Sequence, residues 1–234
     1  MPRPVRSVLV TALLLATAAG CGDAGGLQGA GPTPTATSPA KLWPQLTPAS
    51  SPAWNYDDGE SEVVKGVTVP DDDVRKVDPV AVVRAEIRRH PDSYSGSKAT
   101  YRETTRRMAY CGRTPADSRC PVLKAYYRDL TGDGHPDLTL GFRLLPGNQT
   151  AVRVYTVQGG RLVQVMNNDD AVSGVELAGH SVIIHAPSDL ADYEYRFQWT
   201  WDPEQHVMLL THDEMLHIGK RRPASPTPAP SVSP

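Results

Sequence analysis

Apolar residues recur along this chain with two different periods, and the change from one to the other divides it into elements. Between Asp78 and Pro91 they fall at Val80, Val83 and Ile87, one face of an α-helix, with Arg84 and Arg88 beside them. Asp78 suits an N-cap and Pro79 the first helical position, while Pro91 ends the helix. Further on the period is two. Val122 to Arg128 and Leu138 to Leu144 read as strands. Val152 and Val154 alternate with Arg153 and Tyr155, Gln158-Gly159-Gly160 forms a turn, and Leu162 to Met166 returns as the second arm of a hairpin. A second hairpin runs from Gly174 to Leu177 and from Ser181 to His185, about Ala178-Gly179-His180. The clearest strand places Tyr193, Tyr195, Phe197, Trp199 and Trp201 on one face and Glu194, Arg196, Gln198 and Thr200 on the other. Asp202-Pro203-Glu204-Gln205 then turns into Val207 to Thr211. The pattern predicts a β-rich α+β fold: an antiparallel meander sheet with one N-terminal helix, in a single small domain over residues 63–219.

Both ends lack this patterning. Residues 1–20 hold Arg3 and Arg6 ahead of an apolar run from Val8 to Ala19, too short to span a hydrocarbon core of about 30 Å but suited to an export signal. Residues 21–62 are rich in Pro, Thr and Ser, then acidic at Asp57, Asp58, Glu60 and Glu62, and read as a disordered tether. As a coil the stretch from Gly22 to Trp54 spans about 35 Å, and as polyproline about 100 Å. A Pro-rich tail, expected to be disordered, occupies residues 220–234. The 24 Lys and Arg against 26 Asp and Glu give a net charge of −2, which lacks the electrostatic footprint of a nucleic-acid-binding protein. Only 6% of residues are aromatic, so the row from Tyr193 to Trp201 is needed for the core. The competing reading is a platform on which sugar rings stack.

Small residues Ala18-Ala19-Gly20 stand directly before Cys21, and this run resembles the lipobox of bacterial lipoproteins, with Ala18 where leucine is commonest. The resemblance implies diacylglyceryl attachment to the Cys21 thiol, cleavage before it, and a chain held by its lipid on the extracytoplasmic face of the cell membrane. Cleavage removes Arg3 and Arg6 and takes the net charge from −2 to −4, so the domain has no general attraction to anionic lipid. With Cys21 assigned to lipid, Cys111 and Cys120 remain as a disulfide pair for an oxidising compartment. Closing that short loop stabilises the fold by about 2.5 to 3 kcal/mol on the loop-entropy model.

The most specific chemical signal lies between two strand-like runs, at Asp129-Leu130-Thr131-Gly132-Asp133-Gly134-His135-Pro136-Asp137. Asp129, Thr131, Asp133 and Asp137 place side-chain oxygens at positions 1, 3, 5 and 9, His135 offers its carbonyl at position 7, and Gly134 at position 6 permits a sharp turn. This is the front of an EF-hand calcium loop. Position 12 is Leu140, however, and the flanks are strands. The segment resembles the calcium loops of FG-GAP and VCBS-type β-repeats, where the ion pins neighbouring strands. The resemblance implies a structural calcium held weakly, with a dissociation constant on the order of 10⁻⁴ to 10⁻³ M. The competing reading is an Asp/Gly-rich turn that never holds metal.

No Gly-x-Ser-x-Gly, His-Glu-x-x-His or phosphate-loop motif occurs. His180, His185, His206, His212 and His217 match no compact zinc spacing, and Ser188-Asp189 has no base nearby in sequence. Arg84, Arg88, Arg89, Arg102, Arg106 and Arg107 offer a basic side for an acidic protein face or a wall-polymer phosphate, or simply a solvated surface. Eighteen arginines against six lysines, with abundant Ala, Pro, Gly and Val, accompany the lipobox, the tether and the acidic loop. Together they resemble a small actinobacterial surface lipoprotein, and in size and layout the accessory lipoprotein of the cell-envelope-stress sigma-factor system. That implies a non-enzymatic regulator contacting a membrane sensor. The alternative expectation is a calcium-stabilised module that binds cell wall or glycan.

Overall fold

The computed structural model describes residues 40–46, 61–112 and 117–219. The segment read as an export signal, Cys21, most of the segment read as tether, and the Pro-rich C-terminal residues lie outside them. Strands β1 (Ala40–Leu42) and β2 (Glu62–Val63) precede three helices, α1 (Pro79–Arg89), α2 (Pro91–Tyr94) and α3 (Arg102–Arg107). Eight strands follow: β3 (Tyr126–Arg128), β4 (Asp137–Leu144), β5 (Gln149–Gln158), β6 (Arg161–Asp170), β7 (Gly174–Ala178), β8 (Ser181–Pro187), β9 (Tyr193–Asp202) and β10 (Val207–His217).

The β-rich, antiparallel character expected from the two-residue period holds throughout. The meander folds into two five-stranded sheets, ordered β2-β6-β5-β4-β3 and β1-β7-β8-β9-β10. It divides where β6 passes to β7, and Ala171 and Val172 of that passage are fully buried between the layers. Three layers result. Leu138, Leu140, Phe142 and Leu144 of β4 pack with Val82, Val83 and Ile87 of α1, so the helices cover one face of the first sheet. Val152 and Val154 of β5 pack with Val182, Ile184, Phe197 and Trp199, so the second sheet covers the other. The centre of the aromatic row is thereby committed to the core: Phe197 and Trp199 are each 2% exposed, with Tyr195 and Trp201 partly buried beside them.

Helix α1 starts as its sequence requires. The Asp78 carboxylate accepts a hydrogen bond from Val80 N at 2.9 Å, and Pro79 occupies the first turn. Arg84 and Arg88 are exposed. Part of the segment read as tether also joins the fold. Leu42 and Trp43 are bulky apolar residues in a Pro, Thr and Ser background; both are buried, and β1 pairs antiparallel with β7. Trp43 Nε1 donates to Lys124 O at 2.9 Å. Its ring lies so close to β4 that a Cβ at Gly141 would sit 2.7 Å from Trp43 Cη2, which explains a glycine in mid-strand.

The disulfide is present. Cys111 and Cys120 are bonded, with Cα atoms 4.9 Å apart, and tie the end of the helical layer to the approach to β3. At the opposite border of the second sheet, β10 is an eleven-residue edge strand with a bulge between Leu210 and His212. Among the described residues, no helix is long and apolar enough to cross a membrane.

Candidate functional site

The acidic loop closes on itself. Asp129 accepts from Gly132 N at 2.6 Å and Gly134 N at 3.0 Å, one bond to each carboxylate oxygen. Asp133 Oδ1 accepts from His135 N at 2.8 Å. Asp137 is fully buried at the base, and its Oδ2 accepts from Leu130 N at 2.7 Å and Thr131 N at 2.8 Å. Burial raises the Asp137 pKa above its ordinary value against these bonds. His180 of the second sheet caps the loop, with Nδ1 3.1 Å from Leu130 O. Asp129, Thr131, Asp133, His135 and Asp137 thus do share one loop, as expected. Their carboxylates are turned to backbone amides, however, and among the described residues no three His, Cys, Asp or Glu side chains group so as to hold a metal ion. Asp137 Oδ1 and Thr131 Oγ1 are buried there without a hydrogen-bond partner. Leu140, at the twelfth position, is fully buried in the helix-side core. A cleft of about 510 Å³ beside the loop is lined by Asp133, Thr156, Trp201 and His206.

The other sequence candidates separate. His185 lies 3.0 Å from Glu194, His212 3.3 Å from Glu214, His206 against Trp201 and His217 against Tyr193. Ser188 Oγ accepts from Leu190 N. Much of the basic side is neutralised locally: Arg89 pairs with Glu62 at 2.5 Å, and Arg106 and Arg107 pair with Glu103 at 3.5 and 3.0 Å. Arg102 donates to the carbonyls of Gly96 and Ser97.

A site that sequence reasoning missed lies under the helices. Arg153 of β5 points away from Val152 and Val154, toward the helical layer, and is 4% exposed. Its Nη2 donates to Glu86 Oε1 of α1 at 3.0 Å, and its Nη1 to Asp169 Oδ1 of β6 at 2.6 Å and to Asn168 O at 3.2 Å. Phe142 lies beneath the guanidinium, 5.5 Å from ring centre to Cζ. Burial opposes charge on Glu86, but the adjacent Arg153 outweighs it and holds the carboxyl below its usual range. The two carboxylates likewise overcome the desolvation of Arg153 and raise its pKa. Burial raises the phenols of Tyr94 and Tyr155.

These groups floor a polar cleft of about 450 Å³ walled by α1, α2 and Tyr101, with Glu62 at its rim. A bulge shapes the floor. Val154 pairs with Met166 and Tyr155 with Gln164, so Val165 is the extra residue. Val165 and Met166 both enter the second core, and Gln164, Asn167 and Asp169 all line the cleft. A second cleft of about 280 Å³, with Val64, Val82, Ala85 and Tyr155, shares Glu62, Glu86 and Arg89 with the first. Buried polar atoms without hydrogen-bond partners gather here: Gln164 Oε1, Arg153 Nε and Tyr155 Oη. A detectable signal was Arg153 as the lone charge in a strand apolar on both faces, since such a charge demands a buried partner. No family model, curated protein or solved structure matches the chain significantly.

Proposed function

We propose that this chain is a membrane-anchored extracytoplasmic accessory factor that acts by binding rather than by catalysis, and that it tunes cell-envelope-stress signalling through a membrane sensor. The Glu86–Arg153–Asp169 cluster carries the reading. A general acid or base needs a pKa near the working pH, whereas Glu86 is held below its ordinary range and Arg153 above its own. Glu86 and Arg153 therefore stay charged and paired in the cleft floor, which suits recognition. The Cys111–Cys120 bridge supports an oxidising compartment, and the run ending in Cys21 supports the anchor. The exposed Arg84 and Arg88 supply a face for an acidic partner surface.

Deleting the gene should change the output of an envelope-stress reporter, with and without wall-active antibiotics. An unchanged reporter under both conditions would overturn the signalling role. Cys21→Ala should move the protein from the membrane to the soluble fraction, and a variant that stays with the membrane would remove the lipid anchor from the proposal.

A further inference from the structure

The character of the polar cleft narrows its occupant. The charges of the lining are ion-paired: Glu86 and Asp169 share Arg153, and Glu62 faces Arg89, leaving one carboxylate in excess. Both guanidinium groups are already taken, so an incoming anion meets no free cation. What remains is hydrogen-bonding capacity of mixed sense. Gln164 is 4% exposed and lines the cleft with its carboxamide oxygen unpartnered. Asn167, half-buried, adds an amide that both donates and accepts. Tyr94 and Tyr101 stand in the lining with ring centres 5.7 Å apart and planes tilted by 43°.

Planar amides and carboxylates beside tyrosine rings fit one ligand chemistry. We infer that the cleft binds a neutral sugar. Each sugar hydroxyl donates and accepts at once, so it satisfies an unpartnered carboxamide oxygen and a neighbouring amide without disturbing the ion pairs of the floor. The C–H face of a pyranose packs on the half-buried Tyr101 ring, which Tyr94 backs. A volume of about 450 Å³ lies in the range for small-molecule sites. The smaller cleft meets it at the Glu62–Arg89 pair and offers Val64, Val82 and Ala85. That lining has room for a small apolar substituent, such as the methyl of an acetamido group. An N-acetylated hexosamine is accordingly the best probe. The inference rests on the reading of this cleft as a recognition site, and not on the signalling role.

The test uses the full chain, produced in a host that exports it and purified in detergent. N-acetylglucosamine and its β-1,4-linked trimer are titrated by calorimetry and by saturation-transfer NMR, with spermidine and inorganic phosphate as ionic probes. Saturable sugar binding is expected, weakened about tenfold or more by Asn167→Ala and by Gln164→Met. His206→Ala, in the separate cleft by the acidic loop, should leave it unchanged. A chain that melts cooperatively yet binds neither sugar overturns the inference. So does equal binding by wild type and both cleft variants, loss of binding in His206→Ala alone, or tighter binding of either ionic probe. If sugar binding fails while deletion still alters the reporter, only the ligand assignment falls. If sugar binds in this cleft and the reporter is silent, only the signalling role falls.

Discussion

Replacing Arg153 with methionine removes the counter-charge from Glu86, whose side chain is 7% exposed. Methionine fills similar space, so the cavity contribution is small and the cost is dominated by a carboxylate left without its partner. Breaking a buried pair from one side costs about 3 to 5 kcal/mol. Asp169, with a third of its side chain exposed, regains water and adds little. For a domain of this size each kcal/mol moves the melting temperature by roughly 2 to 4 °C, so a fall on the order of 10 °C is expected at pH 7. The pH dependence separates charge from packing. In the wild type the Glu86 pKa is lowered on folding, so its contribution is present above the unfolded value and is lost as pH falls through the folded one. In Arg153→Met, desolvation is unopposed by that guanidinium and the Glu86 pKa is raised, so Glu86 protonates more readily as the solution is acidified. The gap between variant and wild type should therefore be widest near pH 7 and narrow toward pH 4. Adding Glu86→Leu should recover most of the loss at pH 7, because an apolar pair can replace a buried ion pair. Urea melts at pH 7 and pH 4.5 provide the measurement. A loss below about 1 kcal/mol, or one independent of pH, would refute the assignment of a buried, charge-paired Glu86.

Gly141→Ala should lower stability by about 1 to 3 kcal/mol through collision with the Trp43 ring, read from chemical denaturation; a neutral effect would mean that β1 and its tryptophan are not seated there. Asp137→Ala strips the acceptor from Leu130 N and Thr131 N and should cost about 1 to 3 kcal/mol. If the loop holds calcium, millimolar calcium should raise the wild-type melting temperature and Asp133→Ala should abolish the rise; no rise would leave the loop a metal-free Asp/Gly turn. Reducing the Cys111–Cys120 bridge should cost roughly 2.5 to 3 kcal/mol, checked by melts with and without reductant.

Local chemistry made part of this fold legible. The Asp78-Pro79 start of α1 and its end at Pro91 are matters of capping and of a missing amide. The turns at Gly159-Gly160 and Gly179 need positive φ, which glycine supplies without strain. Strict alternation from Tyr193 to Trp201 marks a strand with one buried face. Division of the meander into two sheets was not legible, because periodicity reports which face is apolar and not which layer covers it. Neither was the pairing of Arg153 with Glu86, 67 residues away in the chain. The three cleft residues of β6 were hidden for a further reason: the bulge at Val165 breaks the two-residue rule by which Gln164 and Asn167, three apart, belong on opposite faces. Within the acidic loop, residue types identified the turn but not the direction in which its carboxylates point.

The border strand β10 bears on behaviour at high concentration. At the other three sheet borders stand β1, β2 and β3, each of three residues or fewer, which offer little template for intermolecular ladders. Among the described border strands β10 alone is long enough to recruit a foreign strand, and its mid-length irregularity and charged residues spoil it for that purpose. Crowding many copies together therefore should not seed fibrillar stacking through that border.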